Sequence, residues 1–123
     1  MNPEILEQRL IDYAVLIIEV INELPRTKSN SHLTNQLIKS ASSTALNYGE
    51  ARSGESRKDF VHKLQIVLKE LRESYISLHI LSRSNPDRST KKMKIAISET
   101  NELISIFVKS VNTAQRNSTP INR

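Results

Sequence analysis

Apolar residues recur along this chain at steps of three and four, the period of a helix presenting one face to a core. Leu6, Leu10, Tyr13, Ile17, Val20 and Leu24 form the first such stripe. They predict a helix over about 3–24, with Asn2 as its cap, Pro3 in the first turn and Pro25 as its stop. Ile11, Ala14, Val15, Ile18 and Ile21 widen that stripe past a single face. A helix this apolar needs cover on two sides, from neighbours in a bundle or from another subunit.

After a polar linker, a second helix is expected over about 31–52, with Leu33, Leu37, Ala41, Ala45 and Tyr48 inward and Ile38 and Leu46 beside them. Its middle, Ser40-Ala41-Ser42-Ser43-Thr44-Ala45, lacks large side chains. A neighbouring backbone can come close there, and the hydroxyls can bond back to the preceding turn. Gly54 breaks the chain, and Ser56-Arg57-Lys58-Asp59 reads as a variant capping box. A third helix follows over about 57–83, with Phe60, Leu64, Val67, Leu71, Tyr75 and Leu78 on one stripe and a possible Lys69–Glu73 pair outside. Asn85-Pro86-Asp87 signals a turn. The last helix, about 89–113, turns Met93, Ile97, Thr100, Leu103 or Ile104, Phe107 and Val111 inward. Residues 114–123 are polar and predict a disordered tail. The expected architecture is all-α: one domain over 1–113, a four-helix bundle running up-down-up-down.

Composition supports this and narrows the chemistry. With 37% hydrophobic residues and only five aromatics among 123, aliphatic side chains must build the core. Two glycines and four prolines are too few for the turns of a many-stranded β protein. The absence of cysteine rules out disulfides, thiolate metal ligands and a thiol nucleophile. Met1-Asn2-Pro3-Glu4 carries no basic region, and the apolar run 13–18 is too short to span a membrane. A cytoplasmic protein without a membrane segment is expected.

The net charge of +5 is unevenly spread. Residues 1–25 carry Arg9 against Glu4, Glu7, Asp12, Glu19 and Glu23, so the basic excess lies in the remainder. Over 81–95, Arg83, Arg88, Lys91, Lys92 and Lys94 face only Asp87. Such a stretch is either a solvated loop or a polyanion-binding patch, where neutralised phosphates release counterions. Arg52, Arg57 and Lys58 form a second group of candidates.

Catalytic and metal signatures are missing. There is no glycine-rich phosphate loop, no His-Glu-x-x-His and no Gly-x-Ser-x-Gly. Asp59 and His62 are the nearest approach to a ligand pair, and a helix-surface contact explains them as well. An enzyme would need Glu50, Glu70 or Glu73 to converge with a histidine. No cofactor or metal is expected. Asn47-Tyr48-Gly49-Glu50-Ala51-Arg52 is the most unusual segment, because a glycine inside a helix is costly. Gly49 either frays the helix end or admits a neighbour's side chain; alternatively Asn47, Glu50 and Arg52 make a polar site at one end of the bundle.

Leu33-x-x-Gln36-Leu37-x-x-Ser40-Ala41-x-Ser43, then Asn47-x-x-Glu50, then Ser56-x-x-Asp59-Phe60, resembles the bacterial four-helix bundle proteins also called 23S rRNA intervening-sequence proteins. The run 63–74 extends the likeness. Gln36, Ser40, Asn47, Glu50, Asp59 and Phe60 carry the family pattern. Lys39 stands where the family usually has arginine, and Gly49 and Ala51 exchange the usual Ala and Gly. The resemblance implies a left-handed bundle assembling as a ring, typically a homopentamer. The leading expectation is a non-enzymatic oligomeric module that binds RNA through basic surface residues. The alternative is a protein–protein adaptor or structural oligomer with no nucleic-acid role.

Overall fold

The computed structural model describes residues 1–54, 56–88 and 90–118. Four helices account for nearly all of them: α1 Pro3–Asn22, α2 Lys28–Arg52, α3 Arg57–Ser84 and α4 Lys91–Ser118. A single 3-10 turn, Pro86–Arg88, precedes α4. No strand occurs among the described residues.

Caps set the helix ends. The Asn2 side chain accepts from the Glu4 N–H at 2.7 Å, and Ser56 accepts from the Asp59 N–H at 3.1 Å, both as the sequence suggests. α1 stops two residues short of expectation, because the Glu23 and Leu24 N–H groups tighten onto Val20 and Ile21. α2 begins three residues early, since the Thr27 hydroxyl caps it by accepting from the Asn30 N–H at 3.1 Å. α4 starts at Lys91, where the Thr90 hydroxyl accepts from the Met93 N–H. At its far end α4 continues through Ser118, so the tail expected from residue 114 is helical over its first five residues. Val111 and Ala114 hold it there: Ala114 is 3% exposed against the core. The rest of that expected tail, 119–123, lies outside the described residues.

Each helix packs on its sequence neighbours, and α1 closes the set against α4. The interior is aliphatic, as expected: Leu6, Leu10, Ile17 and Val20 of α1 meet Leu37, Leu64, Leu71, Leu78 and Leu103. On α2 the inward face differs from the expected one. Ser40 and Thr44 are buried, while Leu46 is 66% exposed. The small residues bring α2 close to α3, and their hydroxyls bond within α2: Ser42 donates to Ile38 O and Thr44 to Ala41 O, each at 2.7 Å. Leu103, not Ile104, is the fully buried member of the pair left open on α4.

Polar contacts also tie the helices together. Within the core, Thr100 gives its proton to Ala96 O at 2.6 Å, so the Tyr13 hydroxyl at 2.7 Å is the donor to Thr100. At the α1–α4 seam, Arg9 forms two parallel bonds to Glu99, at 2.8 and 2.7 Å, and reaches Glu102 at 2.9 Å. Bidentate, charge-assisted pairs of this kind fix geometry as well as adding energy.

At one end of the bundle, the α1–α2 and α3–α4 connections are clamped by two side-chain amides. Asn30 Nδ2 donates to Asn85 Oδ1 at 2.9 Å, and Asn85 Nδ2 donates back to Asn30 Oδ1 at 3.0 Å. The remaining protons go to Pro25 O and Leu81 O, both at 2.9 Å. Asn30 is buried, so its satisfied amide matters. At the opposite end, the α2–α3 connection lies beside Pro3 and the last turns of α4.

Three outcomes follow from this packing. Asn30→Ala strands the inward groups of Asn85 and should cost about 1–3 kcal/mol in urea denaturation. Adding Asn85→Ala should then cost less than its own single change, a coupling that a double-mutant cycle reads directly. Burial pushes the Tyr13 hydroxyl up to about 12. Burial also raises Tyr48, opposed by the nearby Arg52 charge. With the folded-state values above the unfolded one, stability is intact below about pH 10 and falls as pH climbs from about 10 to 12. Tyr13 alone should account for on the order of 2 kcal/mol of this loss, and Tyr13→Phe should flatten the profile. A Cβ at Gly49 would meet only Glu7 Oε1, at an ordinary 3.6 Å. Gly49→Ala should therefore raise stability by about 0.5–1 kcal/mol; a lower melting temperature would contradict the account.

Candidate nucleic-acid interface

The Asn30–Asn85 clamp decides which charges share a surface. It places the α1–α2 connection at the same end as the α3–α4 connection. Arg26 and Lys28 therefore join Arg83, Arg88, Lys91, Lys92 and Lys94, and all seven are exposed. Arg26 and Lys28 were not among the candidates read from sequence, because more than fifty residues separate them from Arg83. The signal available was indirect: in a bundle that reverses direction at each link, the first and third links share an end.

The acidic C-terminal part of α1 borders this patch. Arg88 Nη1 donates to Glu23 O at 3.4 Å, and the Thr90 hydroxyl donates to Glu23 Oε1 at 2.7 Å. Lys92 lies 3.9 Å from Glu19 and 4.0 Å from Glu23. Exposed pairs at that distance are weak and yield to salt or to a competing phosphate. No carboxylate among the described residues pairs with Arg83, Lys91 or Lys94.

Arg52, Arg57 and Lys58 lie at the other end. A helix as long as α3 spans about 40 Å, so the eight sequence candidates divide into two groups that far apart. Arg52 reaches Glu7 at 3.4 Å, the Arg57 guanidinium stands 5.9 Å from the Phe60 ring centre, and Lys58 is exposed.

The family-pattern residues spread along the bundle. Gln36 and Ser40 line a groove of about 620 Å³ between α2 and α3, with Ser43, Glu70 and Glu73. Ser40 points its hydroxyl at Glu73 from 3.5 Å, and Lys69 approaches Glu70 at 3.9 Å in place of the expected Glu73. Asn47 donates back to Ser43 in its own helix, at 2.9 Å to the carbonyl and 2.8 Å to the hydroxyl. Glu50 takes Lys63 of α3 at 2.7 Å. With Arg52 turned toward α1, the polar site considered for Asn47, Glu50 and Arg52 does not assemble. The five-residue step from Asn47 to Arg52 rotates about 140° around the helix, which sends the two apart. Asp59 closes the first turn of α3, and Phe60 is half-buried beside Arg57. Among the described residues no three His, Asp or Glu side chains gather as metal ligands. None of the described helices is long and apolar enough to cross a membrane.

Known proteins give this geometry a context. A crystal structure of a protein of unknown function from the S23 ribosomal protein family of Bacteroides thetaiotaomicron VPI-5482 shares the fold, with a TM-score of 0.75. It is 24% identical, and the match covers 85% of this chain and 96% of that one. No curated protein matches the chain. The family model described as 23S rRNA-intervening sequence protein matches residues 5–106, from the first turn of α1 into α4. With that span containing every residue of the Gln36-to-Phe60 pattern, the chain belongs to the 23S rRNA-intervening sequence protein family.

Proposed function

We propose that this protein is a non-enzymatic, oligomeric module that binds RNA by its phosphate backbone at the Asn30–Asn85 end of the bundle. The observation that carries this reading is the gathering of Arg26, Lys28, Arg83, Arg88, Lys91, Lys92 and Lys94 there, against Glu19, Glu23 and Asp87. Exposed Lys and Arg side chains suit phosphates and carry no code for base edges, so binding is sequence-tolerant. The family's name, with its tie to ribosomal RNA, favours RNA as the polyanion.

The bundle is taken as up-down-up-down and left-handed, a single domain that works in the cytoplasm. Short connections and the cyclic order of helix contacts support that topology. Self-association is supported by the outer face of α1, where Ile11, Val15 and Ile18 are 41%, 50% and 45% exposed on one stripe. Leu46 on α2 is a further exposed apolar residue, at 66%. A homopentameric ring would cover these residues. That same surface is what favours the second reading, a protein–protein adaptor or structural oligomer with no RNA role.

A salt titration separates the two. Affinity for a short single-stranded RNA should fall linearly on a log–log plot against salt. The triple variant Arg83→Ala, Lys91→Ala, Lys94→Ala should reduce the slope by about 2, at roughly 0.7 per phosphate contact. Absence of binding at low salt, or binding indifferent to salt, sinks the RNA reading and leaves the adaptor.

A further inference from the structure

Three of the five aromatic residues, Tyr48, Phe60 and Phe107, gather at the end of the bundle away from the Asn30–Asn85 clamp. Two adjoining clefts open there, of about 490 and 290 Å³, and they share Tyr48, Arg57 and Phe60 as a common wall. The larger continues to Pro3, Arg52 and Ser56, and the smaller to Lys109, Thr113 and Asn117. No Asp or Glu among the described residues lines either cleft.

The wall is firm where it is aromatic. Tyr48 is only 5% exposed and is braced by the Phe107 ring, edge to face at 5.6 Å between centres. Phe60 beside it is half-buried, so part of its ring remains available. The cations are exposed by contrast. Arg57 stands over the Phe60 ring at 5.9 Å, a weak contact for an exposed guanidinium. Neither Arg57 nor Lys109 pairs with a carboxylate among the described residues, whereas Arg52 is shared with Glu7. An aromatic face, two available cations and neutral hydroxyl and amide groups suit a ligand that is flat and aromatic at one side and anionic at the other.

We propose that this paired cleft holds one nucleotide of single-stranded RNA, its base against Phe60 and its phosphate between Arg57 and Lys109. The inference rests on the RNA reading above and adds to it a second, base-dependent contact at the opposite end of the bundle. Stacking on an aromatic side chain tolerates any base, so the site distinguishes a strand with bases from one without, not one sequence from another.

Two probes of equal length test it: a ten-nucleotide oligoadenylate and the corresponding abasic ribose-phosphate strand, each titrated by fluorescence anisotropy at fixed low salt. The wild-type protein should prefer the oligoadenylate by about tenfold, within the range of one stacked base. Phe60→Leu, which keeps the volume and loses the aromatic face, should bring that ratio toward one. Phe60→Tyr should keep it, which separates loss of stacking from a folding defect. Lys91→Ala with Lys94→Ala should weaken both strands and preserve the ratio. Equal binding of the two probes by wild-type protein, or a ratio that survives Phe60→Leu, overturns the cleft and spares the phosphate patch. Failure of both probes to bind overturns the two readings together.

Discussion

Four narrow aliphatic stripes must be buried at once, and the rest of the molecule follows from how that is done. With only five aromatic side chains in the chain, no single large residue can fill the centre. Leucines from all four helices do so, at the close packing that makes each methylene count. The fit has two soft spots, at the small middle of α2 and around Tyr13, and hydroxyls solve both. Thr44 and Ser42 turn back onto their own helix, which lets α3 approach. Tyr13 finds Thr100 across the core and leaves no buried donor without a partner there.

The same constraint leaves α1 with more apolar surface than one bundle uses. Leu6, Leu10, Tyr13, Ile17 and Val20 satisfy the core. Ile11, Val15 and Ile18 point elsewhere, and no element among the described residues buries them. They lie on α1, the acidic helix of a chain that is basic overall, which sets this face apart in charge from both clusters of cations.

Charge is organised by tertiary contacts more than by sequence runs. The dense basic stretch 81–95 supplies five of the seven cations of a patch whose other contributors, Arg26 and Lys28, arrive through the Asn30–Asn85 amide pair. Arg52, Arg57 and Lys58, grouped with it on charge alone, lie a helix length away beside an aromatic cleft. The cations thus form two surfaces with different chemistry: exposed side chains at the clamped end, and a walled recess with Phe60 at its side.

The sequence by itself determined the fold class, the four helices and most of the core, because a period of 3.6 residues and its caps are local properties that the chain writes directly. Its errors were local as well. Thr27 and Thr90 compete with other hydroxyls as caps, so α2 and α4 began elsewhere, and Ala114 gained a core contact that extended α4. Leu46, read as flanking the inward stripe of α2, is exposed, while Ser40 and Thr44, which hydropathy passes over, are buried. What tertiary structure alone decided was juxtaposition: which loops meet, which of Asn47, Glu50 and Arg52 turn apart, and which cations stand beside aromatic rings. Those outcomes depend on residues tens of positions apart being brought within a few ångströms, and no pattern along one helix carries that information.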